Sequence, residues 1–222
     1  MMSALKIITT ADGSHSLLNE SMQETYHSIH GAIQESMHVF IEGGLQFYLA
    51  SHKSASLKLF EVGFGTGLNA WLTLKHAQDG DCIVEYSSIE AFPLDEEIWA
   101  SLNYAGSIRA NEFFKLHQLP WNKQKVNAHF LLNKIHARLE DAELEEAAYD
   151  VVYFDAFAPS KQPELWSLQI LQKIERAMKP GGVFVTYCAK GQLKRDLRSL
   201  QLIVETLPGP PGKKEMIRAT KI

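Results

Sequence analysis

Three glycines at alternate positions, Gly63, Gly65 and Gly67, stand between a strand-like run and a helix-like run. Leu57-Lys58-Leu59-Phe60 before them reads as the end of a buried strand, and Leu68 to Leu74 after them as the start of a helix. Strand, glycine turn and helix make the unit with which a Rossmann-type α/β sheet holds a nucleotide-like ligand beyond its first strand. Glycine lets the backbone turn tightly and approach a ligand with no side chain in the way. The plainer alternative is a tight turn with no ligand. Glu61 lies two residues before the first glycine. A carboxylate suits a cationic ligand better than a pyrophosphate at a helix N-terminus. S-adenosylmethionine, with an ammonium and a sulfonium, meets that preference and NAD does not. Glu61, Gly63, Phe64, Gly65, Thr66 and Gly67 are therefore the first candidate cofactor-binding residues.

The flanking sequence alternates between strand and helix signals. Residues 6–18 read as a hairpin turning at Asp12-Gly13. Residues 32–50 read as a helix with possible breaks at Gly43-Gly44. After the glycine turn, residues 82–89 form a strand ending in Glu90, where a Rossmann-type site receives ribose hydroxyls. Helices are expected over 94–104, 110–119, 143–148, 164–178 and 192–200. In the fourth of these the apolar face is Leu165, Leu168, Leu171 and Ile174. Strands are expected within 126–139, over 149–154 and over 183–188, with a closing hairpin of 202–206 and 215–221. This order predicts a doubly wound α/β sheet over residues 57–222, preceded by a hairpin-and-helix extension over 1–56.

Two isolated cysteines, Cys82 and Cys188, argue against a disulfide or zinc site and for a reduced, cytoplasmic protein. No signal peptide, membrane span or metal motif is visible. The net charge of −4 does not advertise nucleic-acid binding, yet its distribution is uneven. Residues 190–222 carry eight basic residues against three acids, about +5, and leave the remainder near −9. Such a face suits a phosphate backbone, or is simply solvated.

Asp155-Ala156-Phe157-Ala158-Pro159 follows the fourth strand, so Asp155 should share a crevice with Gly63 and Glu90. A carboxylate there can orient an amine, take its proton or stabilise charge growing on nitrogen. Phe157 can pack on a flat base. The alternatives are a helix-capping Asp and a core Phe.

The glycine turn resembles motif I of class I S-adenosylmethionine-dependent methyltransferases. Nearly the whole chain resembles the methyltransferase domain of the MnmC type. The stretches that carry this are Glu61 to Asn69, Ser88 to Leu94, Asp155 to Trp166, Gly212 to Met216 and Glu35 to Ile41. The resemblance implies a Rossmann-like class I fold and methyl transfer to the exocyclic amine of 5-aminomethyl-(2-thio)uridine at the tRNA wobble position. It implies Asp155 as the catalytic residue. Phe157, Pro159, Lys190, Arg195, Lys213 and Lys214 are then candidate substrate contacts, the cations gripping the anticodon loop. The chain ends at Ile222, where the bifunctional form continues into a flavin-dependent domain, so no FAD is expected. The family often has Gly-Asp after the third strand for the adenine amino group. Here the region reads His136-Ala137-Arg138-Leu139-Glu140-Asp141, and that contact is left unassigned. A methyltransferase acting on a small molecule or another RNA, and a non-catalytic cofactor- or RNA-binding module, are the competing readings. An NAD-dependent enzyme stands behind both.

Overall fold

The computed structural model describes residues 5–52, 55–80 and 82–222. Among these, eight strands form one sheet in the order β10-β11-β9-β8-β4-β5-β7-β6. The strands are β4 (Ser56–Val62), β5 (Ile83–Glu90), β6 (Lys123–Lys125), β7 (Phe130–His136), β8 (Tyr149–Phe154), β9 (Met178–Thr186), β10 (Leu202–Pro208) and β11 (Glu215–Lys221). The five central strands are parallel, and β11 runs antiparallel to both neighbours. β1 (Leu5–Thr9), β2 (His15–Asn19) and β3 (Glu24–Thr25) make a separate antiparallel sheet.

Side-chain alternation sorts the central strands onto two cores. Leu57, Leu59, Val151 and Tyr153 face one side, packed by the N-terminal helix, α3 (Leu68–Asp79) and α5 (Gly106–Gln118). Phe60, Val62, Val152 and Phe154 face the other, packed by α6 (Leu168–Ala177) and α7 (Gly191–Ser199). Leu17, Ala32, Val39, Phe40 and Leu45, all before position 57, are thus built into the same core as the sheet.

Several boundaries differ from the sequence reading. The N-terminal helix does not break at its glycine pair. It runs from α1 (Ala32–Ser36) through a π-wound stretch (Met37–Gln46) into α2 (Phe47–Ser51). A Cβ on Gly43 would come within 2.7 Å of Met216, and one on Gly44 within 2.8 Å of Val185. The glycines let the helix press onto the sheet. In the expected 94–104 helix only α4 (Glu96–Trp99) is helical. The expected 164–178 helix divides into a 3₁₀ turn (Pro163–Trp166) and α6, which Ser167 caps by accepting from the Ile170 N–H at 3.4 Å. Its buried face is Ile170, Leu171, Ile174 and Ala177, while Leu168 is exposed.

No helix forms over 143–148. The Lys173 ammonium donates to the carbonyls of Leu139, Glu140 and Ala142 at 2.7–2.9 Å, winding the preceding segment around itself. The Ala147 and Ala148 N–H groups are taken by the carbonyls of Arg176 and Ala177. β9 begins five residues earlier than expected. Gly181, at φ +78°, lets the chain enter the strand through an irregularity opposite Tyr149 and Val151.

Candidate active site

The chain leaves β4 to build β5 and β7 on one side, then returns to build β8 and β9 on the other. The strand order therefore reverses between β4 and β8, where open α/β sheets bind ligands. Hydrogen bonds close this junction. The Gly63 N–H donates to the Ile89 carbonyl at 2.9 Å, and the Asp155 N–H to the Val62 carbonyl at 3.1 Å. A cleft of about 820 Å³ opens above it, a size that suits a small-molecule ligand. Gly63, Phe64, Gly65, Thr66 and Asn69 line it from the turn, Glu90 from β5, and Asp155 and Phe157 from the end of β8. Met22, Tyr26 and His27 close it from the N-terminal piece.

The glycine turn is clamped from both sides through Thr66. The ring Nε2 of His27 is 2.8 Å from the Thr66 hydroxyl. The His117 Nε2–H donates to the Thr66 carbonyl at 3.1 Å. Burial drives His27 down to about 4 and His117 to about 3, so both are neutral clamps near pH 7. The His117 ring is stacked on Trp99, with centroids 5.1 Å apart. Neither histidine has a local sequence signature, because each acts across 39 or 51 residues of chain.

Glu90 accepts from the Gly65 N–H at 3.0 Å and the Phe92 N–H at 2.8 Å. Two backbone donors thus fix a carboxylate on the cleft wall where ribose hydroxyls are expected. Burial still raises its pKa above the usual carboxylate range. Of the two acids after the third strand, Glu140 lines the cleft and Asp141 does not.

Glu61 does not face the cleft. It is 1% exposed and accepts from the Ser88 hydroxyl at 2.6 Å. Burial pushes it up to about 8, with the charge of Asp155 adding to the rise. A neutral acid beneath the floor is no counter-ion for a ligand, which corrects the direct pairing read from the sequence.

Asp155 is half-buried on the cleft wall. Burial and the nearby charge of Glu35 push it up to about 7, against the Asn69 hydrogen bond and the charge of Lys213. The Asn69 amide donates to Asp155 Oδ2 at 2.8 Å. Removing that donor by Asn69→Ala should raise the pH at which Asp155 ionises and lower kcat about tenfold, with cofactor affinity kept. A pH–rate series beside calorimetry checks this.

The remaining sequence candidates divide. Phe157 lines the cleft and meets Tyr26 edge-on at 5.0 Å, whereas Pro159 does not line it. Gly67 lies below the cleft as the N-cap of α3, where a Cβ would come within 2.7 Å of His117. Lys213 is not a free phosphate-gripping cation. Its ammonium pairs with buried Glu35 and lies 3.6 Å above the Tyr187 ring centre. Lys194 pairs with Glu215 and Arg218 with Glu205. Lys190, Arg195, Arg198 and Lys214 carry no ion pair among the described residues. Among those residues no helix is long and apolar enough to cross a membrane.

A family model described as S-adenosyl-L-methionine-dependent methyltransferase matches residues 102–222. The chain belongs to that family. It is 28% identical over 211 residues to the bifunctional tRNA 5-methylaminomethyl-2-thiouridine biosynthesis protein MnmC of Campylobacter hominis, covering 91% of this chain and 31% of that protein. The Pseudomonas aeruginosa protein of the same name is 26% identical over 219 residues, covering 91% and 33%. The chain thus spans about a third of the length of these curated relatives. The solved structure of MNMC2 from Aquifex aeolicus superposes with a TM-score of 0.80 at 26% identity, covering 98% of this chain and 70% of that one. Spermidine synthase from Thermotoga maritima shares the fold, with a TM-score of 0.52 at 14% identity. The protein is a class I S-adenosylmethionine-dependent methyltransferase, as the glycine turn led one to expect.

Its cleft fits that cofactor. A Cβ on Gly63 would fill the bare backbone beside Asp155, at 2.9 Å from the Asp155 carbonyl. Glu90 and Glu140 offer carboxylate acceptors along the same wall. S-adenosylmethionine supplies a sulfonium-bound methyl group to a nucleophile.

Proposed function

We propose that the chain methylates the exocyclic amine of 5-aminomethyl-(2-thio)uridine at the wobble position of tRNA, in the cytoplasm. The observation that carries this is a carboxyl on the cleft wall, Asp155, pushed up to about 7 beside the bare turn at Gly63. An alkylammonium loses its proton on the order of pH 10, and only the neutral amine has a lone pair to donate. A base near 7 accepts that proton far better than an ordinary carboxylate near 4. Once Asp155 has passed that proton to solvent, the carboxylate, ionised again, holds the neutral amine by a remaining N–H and faces the positive charge that grows on nitrogen. The names of the MnmC relatives point to the same product amine.

In this reading Gly63, Phe64, Gly65 and Thr66 cradle the cofactor, Glu90 takes the ribose hydroxyls and Glu140 takes the adenine amino group. Phe157 packs on the extruded base. Lys190, Arg195, Arg198 and Lys214 supply the phosphate contacts, and tRNA affinity falls steeply with salt. The test is nucleoside mass spectrometry on tRNA carrying 5-aminomethyl-2-thiouridine. Cofactor-dependent gain of one methyl group is expected. No conversion of competent tRNA by cofactor-loaded protein would turn the assignment to another amine.

A further inference from the structure

Lys161 is a cationic cleft-lining residue whose chemistry is left unused. It extends from the loop after β8 and lines the same cavity as Gly63, Glu90 and Asp155. Its ammonium donates to the Met22 carbonyl at 2.7 Å, and that neutral acceptor is its one hydrogen-bond partner among the described residues. The other cationic side chain of the lining, Arg138, is already paired with Glu140 at 2.8 Å. An ammonium has three donors and a full charge. Among the described residues one carbonyl leaves two of those donors without a partner and the ammonium without an ion pair, on the wall of a cleft where charge-assisted bonds are strong. The Met22 contact also aims it, since it fixes the side chain between the β8 loop and the N-terminal wall.

We propose that Lys161 is an anion-binding residue of the cleft, holding a carboxylate or phosphate oxygen of a bound ligand. This rests on the reading of the cleft as the site of S-adenosylmethionine and RNA. Each brings one such group: the cofactor its amino-acid carboxylate, the RNA its phosphates.

Lys161→Gln isolates the charge, because the amide keeps a donor for Met22. Lys161→Arg keeps the charge and serves as the rescue. Calorimetry with S-adenosylmethionine and with 5′-methylthioadenosine, which lacks the amino-acid part, reads the carboxylate. Filter binding of unmodified tRNA across a salt series reads the phosphate. The expected result is a loss of about 10–100-fold in one of the two affinities, largely restored by Arg. If S-adenosylmethionine is weakened and methylthioadenosine is not, the carboxylate is the partner. If tRNA is weakened with a salt slope reduced by about 1, the partner is a phosphate. Both affinities unchanged in a folded Lys161→Gln protein would overturn the proposal and leave Lys161 as a tether for Met22. A wild-type protein that binds neither ligand would sink the reading of the cleft itself.

Discussion

Asp155→Asn should lower kcat by about 10²–10⁴-fold while S-adenosylmethionine still binds. The substitution keeps the size of the side chain and replaces a proton acceptor by an amide. In the wild type, burial holds the carboxyl near 7, so it is protonated and idle below that pH and ionised above it. The rate kcat/KM should therefore rise with pH through about 7, by about tenfold per unit on the acid side, then level off. Glu35, Lys213 and Asn69 all act on this ionisation, the first upward and the other two downward. The Asn variant should lose the limb along with the rate. Initial rates from pH 5.5 to 8.5 for both proteins, with calorimetry for the cofactor, make the measurement. A variant of low rate that keeps the same limb assigns the titration to another group and reduces Asp155 to an orienting role.

The sequence was most legible where a local backbone demand writes itself into adjacent residues. The glycine turn is such a place, as are the acid ending β5 and the block after β8. All were located at the carboxyl ends of strands, and the fold puts them around one cleft. Reading failed where a distant partner decided. The 143–148 segment has a helical composition, but the end of α6 takes its Ala147 and Ala148 N–H groups, and Lys173 holds the carbonyls of Leu139, Glu140 and Ala142 just before it. Glu61 carries the motif's charge on paper and loses it to burial and the charge of Asp155, against the hydrogen bond from Ser88. Lys213 counted as a surface cation until the fold set it against Glu35, 178 positions away. The histidine clamps on Thr66 follow the same rule. Net charge over a segment is additive, whereas pairing depends on which elements the topology brings together.

Gly63→Ala should cost both cofactor binding and stability, and more than a glycine substitution at a turn with room. Gly63 has φ +90°, and an added Cβ would lie 2.9 Å from the Asp155 carbonyl oxygen. That neighbour is backbone, so it cannot swing aside as the end of a side chain would. Relief requires moving the residue after β8 and with it the Asp155 carboxyl, which stands in the site. Gly13 in the β1–β2 turn is the internal control. Its φ is +82°, and a Cβ there meets nothing within 4 Å. Gly13→Ala bears the backbone strain alone, about 1–2 kcal/mol. Gly63→Ala bears that strain plus the displacement of the strand end, about 2–4 kcal/mol in total. Urea unfolding of both variants gives the difference. Calorimetry should find S-adenosylmethionine affinity lowered at least about tenfold in Gly63→Ala and unchanged in Gly13→Ala. Equal stability losses with full cofactor affinity in both would mean that the β4–β8 junction yields freely. In that case the bare backbone at Gly63 serves the turn and not the ligand.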